Sequence, residues 1–135
     1  MSNLNIYYQN VRGLRTKLVN LRSSLPLILS YDILILTETW LVSNISDSEL
    51  GLFGFHIFRL DRNIENSPHS RGGGVLIAIK PKFNPLPVAL SVNNIEQLFV
   101  TITLNSTSIL IGSTYLPPLS PLSIVELHLS SVEHL

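Results

Sequence analysis

The 135 residues include no cysteine, which removes disulfide frameworks, thiolate zinc sites and thiol nucleophiles from the functions open to the chain. Charge is scarce too. Only 13% of residues are charged while 45% are apolar, against about 25% charged in an average soluble domain. Two readings account for the shortage: strands covered on both faces, or a piece of a domain whose covering surface lies elsewhere. The stop at Leu135 favours the second. No membrane span is expected, because the most apolar stretch, residues 25–36, contains Pro26, Ser30, Tyr31 and Asp32. It falls short of the ~18 unbroken apolar residues such a helix needs. The first residues lack the basic region, apolar run and small-residue cleavage site of a secretory signal, and an intracellular compartment is the default. A strongly basic footprint is also missing. All nine Lys and Arg lie at or before Lys82 with six acids among them, and the remaining three acids follow. So small a basic excess does not by itself suggest a polyanionic partner.

What is present is a succession of short apolar runs, each ending in polar or Gly/Pro residues. Residues 4–8 alternate and predict a strand running into Asn10. Leu14, Leu18, Leu21 and Leu25 recur at helical spacing, with Pro26 predicting a kink or restart because it has no N–H for the helical ladder. The run Ile33-Leu34-Ile35-Leu36, bounded by Asp32 and Glu38, predicts a strand covered on both faces. Residues 46–49 read as a cap and first turn, 55–58 as a strand, and 63–70 as a loop. Strands follow at 75–79, 99–104 and 109–112, the last two joined by a four-residue connection over 105–108. The tail from Ser123 is weakly helical. Hairpin-grouped strands with few helices favour an α+β sandwich over a doubly wound parallel sheet.

Several side chains at strand ends are able to carry chemistry. Glu38, which follows the four-residue aliphatic run and Thr37, either ligates a cation, pairs with a base or is a solvated strand end; hard divalent cations take oxygen ligands of this kind. Asn10 occupies the same kind of position, where an amide orients a phosphate oxygen or a water, or caps a turn before Gly13. Arg12, Arg15 and Lys17 meet phosphates or form the solvated face of a helix. Tyr115 ends a strand before two prolines, either packing with a wet hydroxyl or contacting a ligand. The glycines at 72–74 permit close backbone approach, but no Lys-Ser/Thr follows, so this is not a phosphate-binding P-loop.

In order, Asn10-Val11-Arg12-Gly13-Leu14, Glu38-Thr39-Trp40, Gly54 to Arg59 with Asp61-Arg62, Arg71-Gly72-Gly73-Gly74-Val75, Glu96-Gln97-Leu98 and Thr114-Tyr115-Leu116-Pro117-Pro118 resemble the endonuclease/exonuclease/phosphatase superfamily. The likeness is to the apurinic-endonuclease-like domain of non-LTR retrotransposon polyproteins, and it runs over nearly the whole chain. It implies an α+β, four-layer α/β sandwich with two sheets face to face, here truncated, residues 1–135 being the N-terminal part of one domain. It implies Mg²⁺- or Mn²⁺-assisted phosphodiester hydrolysis of DNA. By the same resemblance Glu38 is the metal-binding carboxylate, Asn10 the amide beside it and Tyr115 a contact to the scissile phosphate. Arg12 stands where relatives carry an acid, though Asn-Val-Arg-Gly-Leu is typical of the retroelement branch, and its expected role is substrate binding to DNA.

The family also uses an Asp-x-Asn motif and a terminal Asp-His pair, and after Tyr115 this sequence has no aspartate. His128 and His134 follow no aspartate and are expected to be solvated. The chain is therefore expected to be inactive alone, with the C-terminal half of the domain and a reverse transcriptase as implied partners and the nucleus as the compartment if chromosomal DNA is the substrate. The competing expectations are a non-catalytic retroelement relic or binding fragment, and a phosphoesterase acting on small phosphoesters.

Overall fold

The structure, a computed structural model, describes residues 3–63, 66–67, 72–90 and 94–135. Two sheets carry the fold. The first contains β1 (Ile6–Asn10), β2 (Ile33–Thr37), β3 (His56–Leu60) and β4 (Val75–Ile79) in the order β1-β2-β4-β3. β1 runs parallel to β2, and β4 is antiparallel to both β2 and β3. The second contains β5 (Leu86–Pro87), β6 (Glu96–Leu104) and β7 (Thr107–Tyr115), all antiparallel, in the order β5-β6-β7.

The period of two along each strand sorts its side chains between two cores. Leu34, Leu36, Leu76 and Ala78 point to one face of the first sheet and join Val11, Leu14, Ile28 and Leu50. Ile33, Ile77 and Ile79 point to the other and meet Val100, Ile102 and Ile111 of the second sheet. Strands covered on both faces read as continuous aliphatic runs, and β4 is buried at all five residues. Each such side chain contributes about 1.5–3 kcal/mol of burial free energy relative to exposure.

The outer face of the first sheet is covered by α1 (Leu14–Ser23) and α2 (Leu25–Ile28). The expected break is there: α1 ends at Ser23 and the chain restarts with Leu27 and Ile28 donating to the Ser24 carbonyl. Pro26 has no N–H with which to continue the first helix. On the outer face of β6, opposite the inward-facing Leu98, Gln97 holds α3 (Leu122–Glu133). Its Nε2 donates to Ser131 Oγ at 2.8 Å, and its Oε1 lies 2.7 Å from His128 Nδ1. His128 therefore anchors a helix, correcting the expectation that it is solvated; His134 is exposed. The sequence of layers is helices, sheet, sheet, helix, the four-layer α+β sandwich expected from the sequence.

Two local expectations change, and the cap and turn expected from Ser46 are present. The connection between β6 and β7 has two residues rather than four, with Leu104 paired to Thr107. Asn105 and Ser106 both have positive φ, 50° and 64°, the backbone of a tight hairpin turn whose twist matches its strands. Both strands of this hairpin are longer than predicted, so Glu96 and Tyr115 belong to them. Residues 47–50 form one 3₁₀ turn, Asp47–Leu50, with the Ser46 N–H donating to Glu49 Oε1 at 3.4 Å. Of the loop expected over 63–70, Asn63, Asn66 and Ser67 lie among the described residues, and Arg71 of the glycine motif lies outside them.

The second sheet is offset from the first. β7 packs over β2 and β4, and β6 over β4 and β3. No strand of the second sheet covers β1 among the described residues, and its Ile6, Tyr8 and Asn10, on the same face as Ile33 and Ile35, are exposed.

Candidate active site

The site lies where β1 and β2 end, β4 begins and β7 ends. Asn10, last in β1, is in register with Thr37, last in β2, and Val11 N–H donates to the Thr37 carbonyl at 2.9 Å. Glu38 follows immediately. Gly13 N–H donates to its carbonyl at 2.8 Å and Leu14 N–H to the Thr39 carbonyl at 2.8 Å, so the turn into α1 is tied to the end of β2. On the other side Thr39 N–H donates to the Gly74 carbonyl at 3.3 Å and Trp40 N–H to the Gly73 carbonyl at 2.9 Å.

This junction concentrates unusual backbone. Arg12, Glu38 and Trp40 have φ of 46°, 54° and 56°, joined by Gly13 and Gly72 to Gly74, all positive. Non-glycine residues in the left-handed region are uncommon and cluster at functional sites. Gly13 is required twice over: its φ is 96°, and a Cβ there would press into the Trp40 ring.

Tyr115 Oη donates to Glu38 Oε1 at 3.0 Å across 77 residues of sequence. Both side chains are half-buried. Burial first, and the hydrogen bond and charge of Glu38 next, hold the Tyr115 hydroxyl above its ordinary pKa of 10.0; Glu96 adds to the shift and Arg62 opposes it. The phenol stays protonated, and a donor, throughout the neutral range.

Of the four residues singled out in the sequence, the fold brings Glu38 and Tyr115 into direct contact and places Asn10 on the adjoining strand end. The Asn10 carboxamide is exposed and makes no hydrogen bond to a described residue. Arg12 sits on the turn after β1, exposed and likewise without a partner among the described residues. One carboxylate and one carboxamide supply oxygen donors only. Among the described residues no group of three or more His, Cys, Asp or Glu gathers.

Sequence reasoning missed a second acid. Glu96, 2% exposed, takes Arg62 Nε on Oε1 at 3.1 Å and Arg62 Nη2 on Oε2 at 2.9 Å. Its Oε1 also accepts the Gly74 N–H at 2.9 Å. Both residues stand inside motifs that carried the resemblance, yet nothing in a single sequence pairs positions 34 apart. Glu96 and Tyr115 also line a cavity of about 250 Å³ with Asn66, Pro117 and Ile124.

No family model matches the sequence, and no curated protein matches it. Solved structures do. The AP endonuclease LMAP from Leishmania major superposes with a TM-score of 0.67 at 17% identity, over 97% of this chain and 46% of that one. The endonuclease domain of TRAS1, a telomere-specific non-LTR retrotransposon, gives 0.62 at 13% identity, over 98% and 52%. An endonuclease/exonuclease/phosphatase family protein from Leptotrichia buccalis gives 0.59 at 13%, over 95% and 62%. The chain thus spans about half the length of the first two structures. No helix among the described residues is long and apolar enough to cross a membrane. The fold is that of the endonuclease/exonuclease/phosphatase proteins, and the resemblance to AP endonucleases and retrotransposon endonuclease domains read from the sequence holds in three dimensions.

Proposed function

We propose that residues 1–135 form the N-terminal part of a divalent-metal-dependent DNA endonuclease domain of the non-LTR retrotransposon type. The observation that carries this reading is the 3.0 Å contact between Tyr115 Oη and Glu38 Oε1. It joins two residues that the sequence motifs nominate separately, at the open end of a sandwich shared with AP endonucleases. The donor chemistry of Glu38 and Asn10 fits Mg²⁺ or Mn²⁺, which take oxygen ligands and keep several waters when one or two carboxylates and a substrate phosphate complete the shell. Such an ion, when bound, would polarise the phosphate and neutralise charge developing on it.

The chain's own residues then divide the work. Glu38 supplies the formal charge of the metal site and Asn10 a neutral oxygen beside it. Tyr115, kept protonated by burial and by Glu38, has one O–H, which it gives to Glu38 at 3.0 Å; with a phosphate in place it would turn that hydrogen bond to a phosphate oxygen. Arg12, exposed on the neighbouring turn, meets the DNA backbone. What these residues do not provide is a general base for water, which must reach the water it activates. That group is assigned to the second half of the domain, with a reverse transcriptase as partner if one is encoded downstream and the nucleus as the place of action if chromosomal DNA is the substrate.

The test is incubation with supercoiled plasmid and an abasic duplex in Mg²⁺ or Mn²⁺. The 135-residue chain alone is expected to be silent, since loss of one acid–base group costs about 10²- to 10⁴-fold. Joined to the second half of the domain, if its locus encodes one, it is expected to nick DNA. Robust cleavage by the chain alone that Glu38→Ala leaves unchanged would overturn the reading.

A further inference from the structure

The Glu96–Arg62 pair has no part in the division of labour above, and its construction asks for one. Glu96 is buried and the Arg62 side chain is 8% exposed. A buried ion pair is weak evidence of stabilisation, because well-packed apolar replacements are often neutral or better. Its geometry is directed elsewhere. The carboxylate grips the Gly74 N–H at 2.9 Å, and a Cβ on Gly73 would run into both Glu96 Oε1 and the Arg62 guanidinium. The pair is therefore seated on bare glycine backbone. The carbonyls of those same glycines receive Thr39 N–H and Trp40 N–H, the two residues that follow Glu38. A path of direct contacts runs from Glu96 through Gly73 and Gly74 to the strained backbone of Glu38, whose side chain meets Tyr115.

We propose that Glu96 and Arg62 are positioning residues that act through Gly73 and Gly74 to hold the Glu38 carboxylate against the Tyr115 hydroxyl, an inference that rests on the nuclease reading of that site. Neither touches substrate. Glu38, at φ 54°, sits in a conformation that persists only where its surroundings over-determine it. The bidentate guanidinium fixes the carboxylate in plane and direction as a lysine does not.

The test reads Tyr115 directly. The chain is labelled with ¹³Cζ-tyrosine and its NMR spectrum is read at neutral pH, the Tyr115 signal being assigned by its loss in Tyr115→Phe. The ¹³Cζ position reports the hydrogen bond that the hydroxyl donates to Glu38, and Glu96→Gln is expected to move it toward that of a solvated tyrosine. In a Glu38→Ala background the same substitution is expected to produce a much smaller shift, the non-additivity of residues acting through one another. Equal shifts in both backgrounds mean that Glu96 acts on Tyr115 only through space, and overturn the inference; so does no shift in the native background. Arg62→Lys, which keeps the charge and loses the fork, carries the same comparison if Glu96→Gln fails to melt cooperatively. Failure of both variants to fold assigns the pair to stability alone and also overturns it. No readout needs DNA cleavage: a chain that cuts nothing leaves the inference standing, whereas equal shifts in a cleaving protein defeat it alone.

Discussion

β2 has an acid at each end, and the two could hardly be treated more differently. Asp32, before the strand, is buried; its Oδ2 accepts the Asn5 N–H at 2.9 Å and its Oδ1 lies 3.7 Å from Lys82 Nζ. The backbone around it is paired too, with Asp32 and Ile33 N–H donating to the Asn5 carbonyl and Lys80 N–H to the Asp32 carbonyl. Glu38, after the strand, has left-handed backbone, a half-open side chain and one hydroxyl donor. In the sequence both are carboxylates flanking Ile33 to Thr37. Their difference teaches that a strand-end acid stays open to a ligand only where the neighbouring elements leave its oxygens under-used. At the Asp32 end the carboxylate itself is taken up by the Asn5 N–H and Lys82; at the Glu38 end the backbone is paired but the carboxylate meets only the Tyr115 hydroxyl among the described residues.

The sharpest way to break the comparison is to exchange charge for amide at each end. In a cleavage-competent domain Glu38→Gln is expected to lower metal-dependent nicking by more than about a hundredfold, beyond the 10–100-fold typical of groups that only support a metal ligand. Plasmid-nicking rates against Mg²⁺ concentration measure it, and unchanged rates would reduce Glu38 to a solvated strand end. Tyr115→Phe removes a hydrogen bond to a charged group worth about 1.5–3 kcal/mol, so nicking should fall by roughly one to two orders of magnitude.

The same substitution has a pH signature. Folding holds the Tyr115 proton above 10.0, chiefly by burial and then through Glu38. The unfolded chain releases it near the ordinary value, so this contribution to stability is full below about pH 10 and is lost as pH rises through the folded value. Urea melts across the alkaline range should fall less steeply for Tyr115→Phe than for the native chain. A parallel pair of curves would disprove the coupling.

At the closed end the pattern reverses. Asp32→Ala removes the acceptor of the Asn5 N–H, on an exposed residue that water can reach, and is expected to destabilise by about 0.5–1.5 kcal/mol with no effect on cleavage or metal dependence. Lys82→Ala removes an ion pair whose lysine is 67% exposed, and its cost should be at most about 1 kcal/mol, vanishing in high salt. Denaturant midpoints with and without salt distinguish the two.

The aliphatic runs of β2 and β4 were legible because burial on both faces leaves an uninterrupted apolar signature. β5 was not: Leu86–Pro87 is two residues long, and proline fits a sheet edge without announcing one. Thr107 and Ser108 read as turn because they are polar, yet the exposed edge of the hairpin tolerates them as strand. In the site, the ordered motifs nominated Asn10, Glu38 and Tyr115, while the meeting of Glu38 with Tyr115 is a long-range event that no local pattern encodes. Glu96 was hidden for a related reason. At the start of a strand an acid looks solvated, and only the fold places Arg62 and Gly74 against it.

The unequal width of the two sheets has a consequence for entry. β7 is the outermost strand of its sheet and lies over β2 and β4, so the next hydrogen-bonding lane, about 4.8 Å further out, runs above β1. A polypeptide taking that lane would roof Ile6, Tyr8 and Asn10 together, because all three point to that side. Any strand added at that edge would therefore cover the exposed Ile6 and Tyr8 and, in the same step, limit solvent access to the Asn10 carboxamide.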